Sequence, residues 1–207
     1  MLEAAVATLE EEGTAGFTTR KIAARAGTSL PAVYELFGDR SGLLREVFFE
    51  GFRLLRRRFD ELADSADPRL DLVRLLEVFR SFVRKHTMLA EVMFSRPFTD
   101  FDPRPEELGA GSAVRTVIVG HVRRCIEAGV LEGDETDLSH VLLALAQGLA
   151  AQETAGWLGT STASVDRRWE TAIRVMLDGF GPTSSASAGK RGALPKPRPA
   201  RTPLRRP

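Results

Sequence analysis

The sequence is poor in the features on which several protein classes depend. Cys125 is the one cysteine among 207 residues, which excludes an intramolecular disulfide framework and a cysteine-based zinc site. No uninterrupted apolar run reaches the roughly 20 residues needed to cross a bilayer. The acidic start, residues 1–13, lacks the cationic and long apolar regions of a secretory signal. We therefore expect a reduced, cytoplasmic protein that makes no membrane contact.

The chain has little net charge, but its charged residues are unevenly distributed. Lys and Arg number 29 and Asp and Glu number 28, which gives a formal net charge of +1. Residues 183–207 contain seven basic side chains and no acidic one, so the rest of the chain is acidic. Residues 182–207, rich in Ser, Ala, Gly and Pro, are predicted to be a disordered tail. This tail either adds nonspecific electrostatic attraction to a negatively charged partner or only aids solubility.

Apolar residues recur at spacings of three and four along most of the chain, and no alternating strand pattern is present. The spacing predicts an all-α fold of about nine helices. The longest is expected at about 40–63, and another begins at Pro68, where proline loses no helical hydrogen bond. We predict a domain at 1–45, a second helical domain at 46–181 and the tail at 182–207.

The segment 18–37, TTRKIAARAGTSLPAVYELF, has the spacing of a helix-turn-helix. Gly27 allows a sharp bend between two short helices. Ile22 and Ala23 on the first helix would meet Val33 and Phe37 on the second, which would hold the second helix outward, where it can enter a major groove. The spacing alone is equally compatible with an ordinary pair of packed core helices.

This segment is part of a longer series of sequence motifs. It contains E-x-G at 11–13, F-T-T-x-x-I-A-x-x-A-G-x-S at 17–29, V-Y-x-x-F at 33–37, then Arg40 and a Leu-Leu pair at 43–44. In these motifs the first 50 residues resemble the DNA-binding domain of the tetracycline-repressor (TetR) family. The rest of the chain is similar mainly in helix number and length. The resemblance implies a homodimeric transcription regulator, most often a repressor, on a palindromic operator in double-stranded DNA.

The resemblance also implies roles for individual residues. Thr19 would cap the second helix and present its amide and hydroxyl to a phosphate, Tyr34 would donate its hydroxyl to a phosphate, and Arg40 would hold the DNA backbone. The full set of implied DNA-contacting residues is Thr18, Thr19, Arg20, Thr28, Ser29, Leu30, Pro31, Ala32, Tyr34 and Arg40.

Base readout is expected to be modest. Residues 28–37 contain no Arg, Asn or Gln, so no bidentate reader of guanine or adenine lies there. Leu30 and Ala32 would touch thymine methyl groups, and Glu35 would either repel phosphates or accept from cytosine. DNA shape is expected to contribute to specificity.

The remaining helices are predicted to bind an effector and a second copy of the chain. The resemblance implies a dimer interface formed by the last two helices; the alternative is that their apolar faces form an intramolecular core. Aromatic and methionine residues in the middle helices suit a pocket for an apolar or amphipathic effector, with residues 95–105 as a lid, or plain core packing. The candidate pocket residues are Phe79, Phe82, His86, Met93, Phe94, Phe98 and His121.

No constellation in the sequence points to an enzyme. His86, His121 and His140 lack paired metal-ligand spacing, and neither a nucleophile elbow nor a glycine-rich phosphate loop is present. We expect no cofactor and no metal. Two alternatives stay open: a helical small-molecule-binding protein with weak or lapsed DNA binding, and, less favoured, a helical-bundle enzyme that turns over a bound ligand.

Overall fold

A computed structural model describes residues 1–95 and 109–182. This part of the chain forms nine α-helices and no strand, so the predicted all-α fold is confirmed. The helices are α1 Leu2–Gly16, α2 Thr19–Arg25, α3 Leu30–Phe37, α4 Arg40–Asp60, α5 Pro68–Lys85, α6 Thr87–Ser95, α7 Gly109–Glu127, α8 Glu135–Thr154 and α9 Thr162–Gly179. Phe98, most of the predicted lid and the tail from residue 183 lie outside the described residues.

We call α1–α3 the head and α5–α9 the body, and α4 joins the two. Asp39 starts α4 by accepting a hydrogen bond from the Gly42 amide at 2.7 Å. The turn before it needs Gly38, whose φ of +77° disfavours other residues. The first half of α4 buries Leu43 and Val47, and the second half buries apolar residues against the body. The helix ends at Asp60, slightly before the predicted position 63.

The connection from α4 to α5 is held by polar contacts to α7. Arg124 donates to the carboxylates of Asp64 at 2.5 Å and Asp71 at 3.1 Å, and to the Ser65 carbonyl at 2.9 Å. Asp71 is only 3% exposed and also accepts from the Ser65 hydroxyl at 2.7 Å. Pro68 opens α5 as predicted, with Asp67 as its cap.

The last two helices bury one apolar face each within the chain. Leu138 and Leu142 of α8 and Trp169, Ile173 and Leu177 of α9 are all buried. The intramolecular-core alternative therefore holds for these residues. The N-terminus of α8 is capped by Asp134, and the helix ends at Thr154.

A polar network ties α5 to both of these helices. Arg80 of α5 donates to both Glu153 carboxylate oxygens at 2.8 Å and to Asp166 of α9 at 2.8 Å. The Trp169 indole donates to Glu153 at 2.7 Å. In this half-buried cluster the guanidinium is paired with carboxylates and the indole N–H has an acceptor. The cluster therefore fixes three helices at one point. No helix among the described residues is both long and apolar enough to span a bilayer.

Candidate nucleic-acid interface

The head forms the predicted helix-turn-helix, and local sequence sets its two short helices. The Ser29 hydroxyl caps α3 by accepting from the Ala32 amide at 3.3 Å. Gly27, with φ of +63°, makes the bend between the helices. Pro31 lies in the first turn of α3, where it removes no helical hydrogen bond.

One detail of the capping prediction was wrong. Thr18, and not Thr19, caps α2, because the Thr18 hydroxyl accepts from the Lys21 amide at 3.4 Å. Thr19 is the first helical residue. Both threonines are chemically able to cap, so the sequence could not choose between them.

The inner face of the motif is fully packed. Ile22 and Val33 are 0% exposed, and Ala23 is 4% exposed, so small and branched side chains hold α2 and α3 together as expected. Phe17, also fully buried, fills the space before α2. This bracing leaves the opposite face of α3 directed to solvent.

The outer face of α3 carries the residues predicted to meet DNA. Pro31 is exposed, Leu30 and Ala32 are half-buried, and Tyr34 is 46% exposed. None of them lies beneath another helix. Leu36, at 65% exposure, extends the same solvent-facing surface toward the end of α3.

The remaining head residues surround this face. The Thr19 hydroxyl lies 3.5 Å from the Tyr34 hydroxyl, which joins the start of α2 to the middle of α3. Thr18, Arg20 and Ser29 are exposed, and Thr28 is half-buried.

The positive charge of the head is partly used within it. Arg25 forms two hydrogen bonds of 2.6 Å to Glu11, and Lys21 contacts Glu12. The hydrogen bond from Arg25 holds the pKa of the Glu11 carboxyl below its usual value, so that this pair stays charged near neutrality. The acidic residues of α1 therefore offset two of the basic residues of α2.

Arg40 has a structural role that the sequence did not predict. Its guanidinium donates to the Phe17 carbonyl at 2.9 Å and the Thr14 carbonyl at 3.0 Å, and it lies 5.9 Å from the Phe17 ring centre. These contacts fix the start of α4 against the α1–α2 connection. The side chain remains exposed at the surface of the head.

Of the described residues predicted to form one effector pocket, Phe79 and Phe94 come together and the others do not. Phe79 and Phe94, with ring centres 5.6 Å apart, line a groove between α5, α6 and α8 of about 590 Å³. Phe82 and His86 line a separate, smaller depression, and Met93 is buried beneath α4 at Gly51. The reason is the helical period: residues three to four apart share a face, but the predicted set spans several faces.

The wall of this groove formed by α8 was not predicted from the sequence. Small and polar residues of α8 form this wall, whereas the predicted pocket consisted mainly of aromatic side chains. The groove is lined by Phe79, Val83, Thr87, Ala90, Glu91, Phe94, Ala144, Gln147, Gly148, Ala150, Ala151, Thr154 and Ala155. The alanine- and glycine-rich run in α8 was the one sequence feature that could have indicated this wall, because small side chains leave space beside a helix.

His121 lies apart from the groove, on α7. Its Nδ1 atom is buried without a hydrogen-bond partner among the described residues and lies 3.9 Å from Asp64. Burial lowers the pKa of His121, and Arg124 lowers it further, while Asp64 and Asp71 oppose the shift. The ring is therefore favoured in its neutral form.

Cys125 is a packed thiol. It is 1% exposed and donates to the Pro68 carbonyl at 3.2 Å, and burial raises its pKa to about 11. A thiol of that pKa is not a nucleophile near neutral pH. Within residues 1–95 and 109–182 there is also no group of three or more His, Cys, Asp or Glu side chains able to hold a metal ion.

An apolar surface remains on α8 and α9 outside the core. Val141 is 43% exposed and Val175 is 58% exposed. Val175 lines a surface depression of about 700 Å³, together with apolar residues that include Leu145 and Met176 and with Arg167 and Arg168. Each helix thus has one face in the core and a second apolar face toward solvent.

Comparison with known protein families matches both parts of the chain. The family described as "Bacterial regulatory proteins, tetR family" matches residues 1–47, and the family described as "Tetracyclin repressor-like, C-terminal domain" matches residues 72–176. No curated protein sequence matches the chain.

Solved structures share the whole fold. A Rhodococcus sp. RHA1 protein of unknown function is 27% identical, with a TM-score of 0.74, and the match covers 87% of this chain and 93% of that one. FadR from Bacillus subtilis, solved with stearoyl-CoA, is 15% identical with a TM-score of 0.69 and coverages of 86% and 96%. A single-residue variant of TetR from Acinetobacter baumannii AYE, solved with minocycline, is 20% identical with a TM-score of 0.61 and coverages of 86% and 93%.

Proposed function

The chain belongs to the TetR family of transcription regulators, and on that basis we propose that it is a homodimeric repressor that leaves a palindromic operator when an effector binds its body. The observation that carries the proposal is the outward face of α3, held by the buried contacts of Ile22 and Val33. A short helix held in this way fits a major groove about 12 Å wide.

Contacts to the DNA backbone are assigned to the rim of this face. The Thr19 and Tyr34 hydroxyl groups, close together and accessible, suit one phosphate. Thr18, Arg20, Thr28 and Ser29 surround them, and Arg40 positions α4 beside the same surface. These contacts orient the head on the duplex without selecting a sequence.

Sequence selection falls to the exposed part of α3. Leu30, Pro31 and Ala32 offer apolar contact to thymine methyl groups, and Glu35, which is exposed, can accept from the cytosine amino group. No guanidinium or amide side chain on α3 is available for bidentate readout. Sequence-dependent DNA shape therefore carries much of the specificity.

The second apolar face of α8 and α9 is assigned to the homodimer. Val141 and Val175 expose large apolar side chains there, and burying them against a second copy releases water from both. Twofold symmetry would then place two copies of α3 about 34–36 Å apart, which is one turn of DNA. Such a dimer doubles the number of phosphate contacts.

The groove between α5, α6 and α8 is assigned to the effector. Its volume of about 590 Å³ lies in the range of small-molecule pockets, and Phe79 and Phe94 offer aromatic surfaces. Among the described residues that line it, Glu91 is the one charged residue, and Gln147 and Thr154 provide hydrogen-bonding groups. A neutral or cationic amphipathic molecule matches this lining better than an anionic one.

Selection of duplexes from a random pool by the purified full-length protein tests the proposal. We expect recovered sequences with two inverted half-sites spaced by one helical turn, and a reporter placed behind such a sequence to be silenced by the protein. Direct repeats or single half-sites would contradict the dimer geometry. Activation of the reporter would contradict the repressor role.

A second candidate is a small-molecule-binding protein whose head no longer binds DNA. It is favoured by the neutralisation of Lys21 and Arg25 by α1 carboxylates and by the exposed Glu35 on α3. This candidate predicts that the selection enriches no sequence, whereas a neutral or cationic aromatic probe still binds the body. The two candidates therefore separate in one experiment.

A further inference from the structure

The head and the body are joined by a side chain as well as by α4. Glu10 of α1 reaches the N-terminus of α6, where its carboxylate oxygens accept from the amides of Met88 at 3.2 Å and Leu89 at 3.0 Å. These are among the amides that a helix start leaves without an internal partner. The residue before α6 is His86, whose ring packs on Phe82 at 5.1 Å. The cap of α6 thus comes from a different domain.

The backbone of α1 is kinked beside the contact between Glu10 and α6. Gly13, one turn after Glu10, adopts φ of +65° and kinks α1. A Cβ atom at this position would lie 3.6 Å from the Met88 methyl group, so the kink lies directly over the start of α6. A negative carboxylate at a helix N-terminus is also electrostatically favourable. Geometry and charge both hold this end of α6 to the head.

The same short helix contacts α4 and the effector groove. Gly51 of α4 approaches α6 so closely that any side chain there would collide with Met93. On its other side α6 contributes Ala90, Glu91 and Phe94 to the groove. One helix of nine residues therefore touches the head, the connecting helix and the proposed effector at once.

We infer that Glu10 is a positioning residue that transmits displacement of α6 to the head. The continuous α4 and the Glu10 carboxylate both hold the head, together with apolar contacts of α1. When α6 shifts relative to α4, a head held at both points must tilt, and α3 tilts with it. Without Glu10 the head is held by α4 and apolar contacts only, and α6 moves without carrying it. This inference rests on the proposed function, since it concerns how DNA and effector sites communicate.

Linkage makes the inference testable without an effector, because coupling between two sites acts equally in both directions. If displacing α6 tilts the head, then fixing the head on DNA alters the start of α6. The hydrogen-exchange rates of the Met88 and Leu89 amides measure this change at the start of α6 directly. The variants are Glu10→Gln, which keeps the side-chain size but offers one acceptor oxygen, and Glu11→Gln as the control. Glu11 is the next residue on α1 and pairs with Arg25 inside the head.

The experiment compares the full-length wild type and both variants, free and bound to a duplex recovered by selection. We expect the duplex to change exchange of these two amides by at least about fivefold in the wild type and in Glu11→Gln, in the range of typical couplings. In Glu10→Gln we expect faster exchange in the free protein and no effect of the duplex.

Three other results would overturn the inference. If Glu10→Gln speeds exchange but the duplex still changes it, Glu10 only caps α6 and the inference is overturned. If the wild type binds a duplex and these amides do not respond, the inference is overturned even where Glu10→Gln fails to fold. If the wild type binds no duplex at all, both the inference and the proposed function fail.

Discussion

The hydroxyl oxygens of Thr19 and Tyr34 lie 3.5 Å apart, although the residues are 15 positions apart in the sequence and belong to different helices. The contact depends on the buried packing of Ile22 and Ala23 against Val33, which sets the angle between α2 and α3. Two accessible hydroxyl groups at this separation can share one phosphate oxygen. The relationship links the core of the head to its proposed function.

Replacing Tyr34 with Phe removes only the hydroxyl group, so we expect weaker binding to every duplex by a similar factor. The loss of a hydrogen bond to a charged phosphate predicts a cost of about 1–2 kcal/mol, a factor of about 5–30. Fluorescence anisotropy with a selected duplex and a scrambled one measures both affinities. Trp157→Phe, a change in an exposed aromatic residue outside the head, serves as the control. A loss confined to the selected duplex would instead make Tyr34 a base reader.

Replacing Glu153 with Ala is expected to destabilise the body by about 2–4 kcal/mol. The change leaves the Trp169 indole without its acceptor and leaves Arg80 with Asp166 alone, both in a half-buried site. Urea unfolding followed by circular dichroism measures the free energy. Glu61→Ala, which breaks an exposed pair with Arg58, is expected to cost about 0–1 kcal/mol. Equal costs for the two variants would show that the network adds nothing beyond a surface pair.

Replacing Val175 with Glu is expected to convert the dimer to a monomer and to weaken DNA binding. A charge placed on this exposed apolar face would lose its hydration when the dimer forms. Light scattering coupled to size-exclusion chromatography measures the mass. Leu70→Glu, at a residue of 41% exposure on α5, is the matched control and should leave the dimer intact. A dimer that survives Val175→Glu would place the interface elsewhere.

Stability is expected to fall as the pH drops below about 6.5, the ordinary value for histidine. Burial lowers the pKa values of His121 and His86, so the unfolded chain binds protons more readily than the folded one as the pH falls, and protons favour unfolding. His121→Gln should flatten part of this dependence, with the contribution of His86 remaining. The measurement is urea unfolding at pH values from 8 to 5. A slope that His121→Gln leaves unchanged would contradict this assignment.

Local features of the fold were predictable from the sequence because their causes lie within a few residues. Ser29 caps the helix that begins next to it, and Pro68 opens α5 with Asp67 before it. The outward face of α3 followed from the short-range spacing of apolar residues. These features depend on hydrogen bonds between near neighbours, which a pattern of residue types reveals.

Long-range contacts were not predictable in the same way. Arg40 holds carbonyl groups of the α1–α2 connection, and Glu10 reaches amides 78 and 79 positions away. The groove proposed for an effector is formed by residues of three helices, and His121 on α7 lies apart from it. Such contacts depend on how helices pack in three dimensions, and residue types alone do not specify that packing.

The dependence of duplex affinity on salt concentration tests the central claim most directly, that the head binds the phosphate backbone of duplex DNA. For the full-length protein and a selected duplex, we predict that the logarithm of the binding constant falls linearly with the logarithm of salt concentration, because phosphate contacts release counterions. Arg20→Gln should reduce that slope by about 1 for each head. Absence of binding at low salt, or an affinity that does not change with salt, would contradict the account.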